Sequence, residues 1–389
     1  HCARCNRLGR VDRLERVIQA YYDAVVERAG KKLIVRAWNV RPDGMHDSVE
    51  MAERMADRLP GKPDDERLVL SFKFTATDFW RYQAWNQSSL VLGDRPVLYE
   101  LQCQREFEGK GGVPNWQLPL WRDGHPEMGR EAMGLADVAG KVNLAGLWAW
   151  VRGGGWGGPF IDNETWIDAN VTAVPQLADD PALDPGVVAR QWVSDRLGVE
   201  DEETAEAICK VLEASPDFVL KGFYVGPFAR GRSRQWHPNG DLIQDDLIDA
   251  SAARRMIAEL DDDQLDAVVR EKQEAVEAVA ARRADLQQRV QKKNQKVLEP
   301  MLHTLEYTES LFEALRELLA GLIAHRRWRQ SEDPTEGERC RRHLFAAQSH
   351  WNHHTQRHAT LSGAATAFRE SGFWELTQRL TEEVDAEAD

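Results

Sequence analysis

The chain has 389 residues, of which 42% are hydrophobic, and a formal net charge of −14. This length allows two or three domains, and the apolar fraction excludes global disorder. The negative charge argues against nucleic acid or an anionic membrane as a partner, because both attract basic surfaces. No run of 18 apolar residues occurs and no signal segment opens the chain, so no membrane span is predicted. Because the first residue is His1, we expect a fragment or processed product of a soluble protein whose targeting signal is missing.

The cysteines do not form a disulfide framework, because they are odd in number and scattered: Cys2, Cys5, Cys103, Cys209 and Cys340. Cys2 and Cys5 have a spacing found in metal and redox sites, but no second pair follows. A structural role is therefore predicted for them, and no metal or cofactor is expected.

The first half of the chain alternates between helical and strand patterns. Apolar runs typical of buried strands cover 33–40, 68–74, 96–104 and 142–151, with helical patterns at 11–29, 46–59 and 128–139. This alternation predicts a parallel sheet with helical crossovers. Polar residues recur where the strands end, as at the catalytic face of a (β/α)8 barrel. We therefore predict the C-terminal half of such a barrel over residues 1–200, with a doubly wound sheet as the alternative.

The second half reads as helices, and we assign residues 201–389 to a mostly α-helical domain. Helical segments are predicted at 249–298, 301–330, 337–358 and 361–384. Pro300 and Asp333-Pro334 are expected to separate some of them. The charged segment 264–290 is predicted to be exposed or to pair with another helix, and the helical domain is a candidate homodimer surface.

Two carboxylates follow neighbouring predicted strands. Asp78 comes after the second strand and Glu100 lies in the third. A glycosidase needs one carboxylic acid for the leaving oxygen and one carboxylate that activates water or attacks carbon. Arg36 and Lys73 place positive charge at the same end of the sheet, either as salt-bridge partners or as anchors for an acidic substrate.

Three segments resemble the α-glucuronidases of glycoside hydrolase family 67. They are LIVRAWNV at 33–40, FKFTATDF at 72–79 and LYELQCQREFEG at 98–109. A later stretch at 154–181, which contains Trp156, is similar to the family's Trp-Gly segment, and a helical domain then follows as in the family. The resemblance covers about 33–200. Within the first three segments the matched positions are Arg36, Lys73, Asp78-Phe79, Glu100-Leu101-Gln102, Glu106-Phe107 and Gly109.

The resemblance implies inverting removal of α-linked glucuronic acid, or a related uronic acid, from a decorated glycan such as xylan. It makes Asp78 and Glu100 the joint base that activates water, kept ionised by nearby cations. It makes Arg36 and Lys73 anchors for the uronate carboxylate, and Trp156 a substrate-binding residue. The family's general acid lies on an earlier strand that this sequence does not contain. The chain alone is therefore expected to be inactive.

Departures from the family pattern leave the exact sugar open. Tyr82 stands where the family has Arg, with Arg81 one position early, and Phe74-Thr75-Ala76 replaces Asn-Gly-Pro. The segment 154–158 lacks the family's histidine. One alternative is a barrel glycosidase that acts on another sugar. The other is a catalytically silent carbohydrate-binding protein with the same fold.

A histidine cluster near the C-terminus has spacing suited to a metal. His350, His354 and His358 are four residues apart, with His353 between them. Because no carboxylate lies in this run, we predict a polar helix surface instead.

Overall fold

The computed structural model describes residues 7–38, 44–151, 164–232, 240–244, 247–290, 294–358 and 369–386. Trp156 and the Cys2–Cys5 pair therefore lie outside the described residues. Among the helices that are described, none combines the length and the apolar character that a membrane span needs.

A four-stranded parallel sheet forms in the first half of the chain, at the four predicted places. Its strands are β1 (Leu33–Arg36), β2 (Leu68–Lys73), β3 (Pro96–Gln102) and β4 (Asn143–Trp150), in that spatial order. All three neighbouring pairs are parallel, so the four carboxyl ends meet at one edge. The described strands form an open sheet with β1 and β4 at its edges, and they do not by themselves close a barrel.

The two faces of this sheet differ in burial. On one face Leu70, Phe72, Tyr99 and Leu101 are completely buried in the hydrophobic core. The strand register puts the polar side chains on the opposite face, where Lys73 lies beside Glu100 and Glu100 lies beside Trp148. Ile34 is on the same face and is 58% exposed. The polar face is thus partly open.

Helices account for most of the remaining structure. Those in the first half are α1 (Arg10–Tyr22, continued by a π-helical turn at Asp23–Arg28), α2 (Val49–Ala56), α3 (Leu118–Asp123), α4 (Leu135–Val138), α5 (Thr165–Asp179) and α6 (Pro185–Asp195). The rest are α7 (Glu202–Phe223), α8 (Gly226–Arg230), α9 (Ala250–Ala258), α10 (Asp262–Arg289), α11 (Gln295–Ser331), α12 (Pro334–His358) and α13 (Phe373–Ala386). A small sheet joins β5 (Ile243–Gln244), β6 (Leu247–Asp249) and β7 (Arg369–Ser371).

Several helices begin at an Asp or Ser whose side chain caps the free N–H groups of the first turn. Ser48 accepts from Met51 N at the start of α2, and Asp201 accepts from Thr204 N at the start of α7. Asp261 caps α10 in the same way. These residue types fix helix starts because their side-chain oxygen replaces a missing backbone acceptor.

Two predicted helix breaks turn out differently. Asp333-Pro334 does separate α11 from α12. Pro300, however, lies inside α11, so the prediction that it separates two helices is wrong. It is the sixth residue of the helix, where a proline removes a single i→i−4 hydrogen bond, and the helix continues through it. The segment 264–290 lies in α10, which packs against α7 and α11 through buried residues such as Leu265 and Val279. Helix pairing is therefore the correct one of the two predictions.

The histidine segment also needs a correction. His353 is exposed, but His354 and His358 are completely buried. They face α11, where Ser310 Oγ lies 2.8 Å from His354 Nδ1 and 3.2 Å from His358 Nε2. The predicted polar surface is therefore wrong for these two residues. In the described part of the chain, no three His, Cys, Asp or Glu residues are grouped so that they could hold a metal ion.

The helical second half contacts the loops that follow the sheet. Trp116 N donates to Ser215 Oγ of α7 at 2.8 Å, and Tyr224 Oη donates to Glu108 at 2.5 Å. The boundary at residue 200 stays a prediction, but these bonds tie the helices to the carboxyl edge of the sheet.

Candidate functional site

Lys73 joins the two predicted carboxylates. It is the last residue of β2, and its register partner on β3 is Glu100. Its Nζ donates to Glu100 Oε1 at 2.9 Å and to Asp78 Oδ1 at 2.5 Å. Neither carboxylate is exposed, and Lys73 is only 1% exposed. Because an unpaired buried charge is very costly, the ammonium and the carboxylates stabilise each other at this site.

Glu100 also receives hydrogen bonds from both edge strands. Arg36, at the end of β1, donates through Nε to Oε2 at 2.6 Å and through a terminal nitrogen to Oε1 at 2.5 Å. Trp150, at the end of β4, donates through Nε1 to Oε1 at 2.6 Å. Side chains from the ends of β1, β2 and β4 therefore all bond to this one carboxylate on β3.

Asp78 is held differently. It lies in the loop after β2, and its backbone carbonyl accepts a hydrogen bond from Arg105. Arg105 is itself paired with Glu108 at 2.9 and 3.0 Å. Asp78 Oδ2 is buried and has no hydrogen-bond partner among the described residues. Asp78 therefore keeps one carboxylate oxygen to which none of the described residues donates a hydrogen bond.

The two carboxyl groups have opposite pKa shifts. Burial raises the pKa of Asp78 above its ordinary value, and the charge of Lys73 offsets only part of that effect. Burial acts in the same sense on Glu100, but the hydrogen bonds from Arg36 and the charge of Lys73 lower the pKa of Glu100 below its ordinary value. The lowered pKa of Glu100 agrees with the expectation that nearby cations keep the base ionised, whereas the raised pKa of Asp78 does not.

Aromatic rings surround the two cations. Lys73 Nζ lies 4.9 Å from the ring centre of Trp38 and 4.4 Å from that of Phe79. The Arg36 guanidinium lies 5.0 Å from the Trp38 ring and 5.7 Å from that of Trp150. These rings attract the cations through their faces.

A buried polar network behind the site was not foreseen from the sequence. Arg105 and Glu108 form its centre, and Tyr224 and Asn115 donate to Glu108 at 2.5 and 2.8 Å. The charged run at 105–110 was the available signal, but no local pattern indicates that Tyr224 would meet it. This network fixes the loop that carries Asp78.

Arg81 lies in a buried ion pair. It pairs with Glu127 at 2.8 and 2.7 Å, and the backbone N–H of Tyr82 donates to the same carboxylate at 2.9 Å. Arg81 is buried, and its role in this structure is to anchor the loop between β2 and β3.

The arrangement suits proton transfer. One buried carboxyl has a raised pKa and an oxygen free of described partners, and beside it Arg36 and Lys73 lower the pKa of a second carboxylate. Such a separation of two carboxyl pKa values is how active sites assign acid and base roles. The site is formed at the carboxyl edge of a parallel sheet, where proteins with such sheets commonly bind their ligands.

Comparison with known proteins gives a likeness in structure only. No protein-family model matches the sequence, and no curated protein does. The structure is similar to that of a GH138 enzyme targeting pectin rhamnogalacturonan II, with a TM-score of 0.56 and 10% identity over 97% of this chain. An O-GlcNAc hydrolase mutant from Thermobaculum terrenum matches 97% of this chain and 67% of its own at 12% identity, but its TM-score of 0.36 is too low to support an argument. The chain spans 60% of the length of the GH138 enzyme, and over that length it shares the fold of that enzyme.

Proposed function

We propose that this chain is part of a glycoside hydrolase that removes an α-linked uronic acid, glucuronic acid foremost, from a decorated glycan such as xylan, with inversion. The observation that carries the proposal is a buried pair of carboxylates that share one lysine and have opposite pKa shifts, beside the partly exposed Arg36. The fold shared with a glycoside hydrolase supports it.

Within the pair, we assign proton transfer to Asp78. Its Oδ2 has no hydrogen-bond donor among the described residues, and its raised pKa brings it closer to the range in which general bases work well. Glu100 is a poor proton acceptor, because Arg36, Lys73 and Trp150 already donate to its oxygens. Its role is to fix Lys73 and to contribute negative charge near the developing oxocarbenium ion.

Recognition of the uronate carboxylate is assigned mainly to Arg36. The Lys73 ammonium is buried and already forms ion pairs with two carboxylates, so it attracts a further anion only weakly. The Arg36 side chain is 36% exposed, so some of the N–H donors of its guanidinium can bind a ligand instead of Glu100. Arginine suits this task because it binds carboxylates with two parallel hydrogen bonds.

The partly open polar face of the sheet suits contact with further strands. We propose that the four strands are half of a (β/α)8 barrel and that four further strands cover Ile34 and pair with β1 and β4. The general acid would then come from that second half, and this chain alone would be inactive. Below, "the completed enzyme" means this chain together with the proposed second half.

A second candidate substrate is an acidic glycan of the pectin type. It is favoured by the likeness to the enzyme targeting pectin rhamnogalacturonan II. Both candidates present a carboxylate to Arg36, so the chemistry of the site is the same. Incubation of the completed enzyme with xylan-derived and pectin-derived oligosaccharides, followed by identification of the released monosaccharide, separates the two. Binding without release would instead indicate a silent carbohydrate-binding protein.

Replacing Arg36 with Ala in the completed enzyme should raise KM for an aryl α-glucuronide roughly 10- to 100-fold. This range corresponds to the loss of one charge-assisted hydrogen bond or two. KM for the matching aryl α-glucoside should change little, because that sugar has no carboxylate. Steady-state kinetics on both substrates gives the ratio of the glucuronide KM to the glucoside KM. A disturbance of Glu100 that affects both substrates equally leaves this ratio unchanged.

The exposed Arg54 on α2 provides the matched control, and Arg54→Ala should alter neither KM. An equal rise in KM for glucuronide and glucoside in Arg36→Ala would show that Arg36 only supports Glu100, and the assignment of Arg36 to the uronate carboxylate would be wrong.

A further inference from the structure

Trp150 combines a buried polar contact with an exposed ring. Its Nε1 donates to Glu100 Oε1 at 2.6 Å, yet the residue as a whole is 41% exposed. The neighbouring Trp148 ring lies 5.8 Å away at an angle of 49°, and Trp148 Nε1 donates to Ser71 Oγ. The nitrogen edge of Trp150 is therefore fixed by the site, and part of the indole faces outward.

Other exposed apolar side chains in the described part of the chain lack this link to the site. Tyr21, Val187 and Phe345 are each more than half exposed on helices α1, α6 and α12. Single exposed apolar residues of this kind are ordinary on protein surfaces. Trp150 differs because moving it would remove a donor from a buried carboxylate.

The exposed residues around the buried carboxylates show from which side a ligand can reach them. Asp78, Glu100 and Lys73 are buried, whereas Arg36 and Trp150 are accessible, with the guanidinium 5.7 Å from the indole centre. A ligand that meets both has an apolar face for the ring and an anionic group for the guanidinium. A uronate pyranose has this combination, since its axial C–H groups form an apolar face and its carboxylate lies at the ring's edge.

We infer that Trp150 is a sugar-stacking residue for a uronate pyranose and that its N–H positions Glu100. The identity of the ligand rests on the proposed function. The indole face attracts the C–H groups of the sugar, and its N–H donates to Glu100 Oε1 and so holds that carboxylate in place. Binding and preparation of the carboxylate thus depend on the same side chain.

Two substitutions separate stacking from hydrogen bonding. Trp150→Phe keeps an aromatic face and loses the N–H, whereas Trp150→Ala loses both. Isothermal titration of the completed enzyme with D-glucuronate and with D-glucose measures the effect on each sugar. Trp150→Ala should weaken binding of both by about tenfold, since the ring is lost for either sugar. Trp150→Phe should stay within about threefold of the wild type, a difference of less than 1 kcal/mol. Phe345→Ala, at an exposed position on α12, is the control and should change neither value.

The contribution of the N–H has its own readout. In Trp150→Phe, Glu100 loses one donor, so the pKa of Glu100 should rise, and carbon-13 NMR of labelled glutamate carboxyls should show its titration at higher pH. Phe345→Ala should leave that titration in place.

Three results would overturn the inference. They are unchanged sugar binding in Trp150→Ala, an equal loss in Trp150→Phe and Trp150→Ala, and the absence of sugar binding in the wild type. Failure of the proposed function gives a different pattern. In that case the wild type binds glucuronate in a Trp150-dependent way but hydrolyses neither xylan-derived nor pectin-derived oligosaccharides.

Discussion

Replacing Asp78 with Asn should lower kcat of the completed enzyme by about 10²- to 10⁴-fold, the range typical for loss of acid–base assistance. The substitution is nearly isosteric, and Lys73 keeps Glu100 as a partner, so the fold should be retained. Steady-state kinetics together with circular dichroism measures both effects. Asp64→Asn, in an exposed loop, should leave kcat unchanged.

The pH dependence provides a further check on Asp78. A base works only when ionised, so kcat/KM should rise with pH as Asp78 loses its proton. Because burial raises the pKa of Asp78, this rise should occur above the ordinary range of aspartate. A kcat within tenfold of the wild type in Asp78→Asn would show that another group activates the water.

Replacing Lys73 with Met should lower the free energy of unfolding by about 3–5 kcal/mol at pH 7, since removal of one partner leaves buried charges uncompensated. The pKa values of Asp78 and Glu100 would both rise in the folded variant. A carboxyl whose pKa is higher in the folded than in the unfolded state destabilises the protein at pH values above its unfolded pKa. This penalty fades as pH falls, because the group then binds a proton in both states.

Urea denaturation of Lys73→Met at pH 7 and at pH 5 therefore gives a clear test. The loss of stability should be smaller at pH 5. Lys31→Met, at an exposed position before β1, is the matched control and should cost little at either pH. A loss of the same size at both pH values would indicate that Lys73 contributes by packing rather than by charge.

The sheet and the main site residues could be predicted because they depend on local pattern. Four apolar runs separated by helical segments define parallel strands, and parallel strands bring their carboxyl ends to one edge. The expectation that Lys73, Asp78 and Glu100 lie at the same end of the sheet follows from that geometry. The same reasoning places Arg36 beside them, at the end of β1.

The remaining features depend on tertiary contacts that no local pattern encodes. Tyr224 meets Glu108 across 116 positions of sequence. His354 and His358 are buried because α12 turns that face towards α11, and this rotation is set by packing between the helices. The raised pKa of Asp78 likewise depends on enclosure by surrounding loops, whereas the sequence shows only the neighbouring cations.

The most direct test of the central claim is the stereochemistry of the first-formed product. Proton NMR should follow hydrolysis of an aryl α-glucuronide by the completed enzyme, before the sugar equilibrates in solution. If Asp78 activates a water molecule, attack occurs from the face opposite the leaving group, and β-glucuronic acid appears first. First appearance of the α-anomer would mean retention, and Asp78 or Glu100 would then act as a nucleophile, in contradiction to the assignment made above.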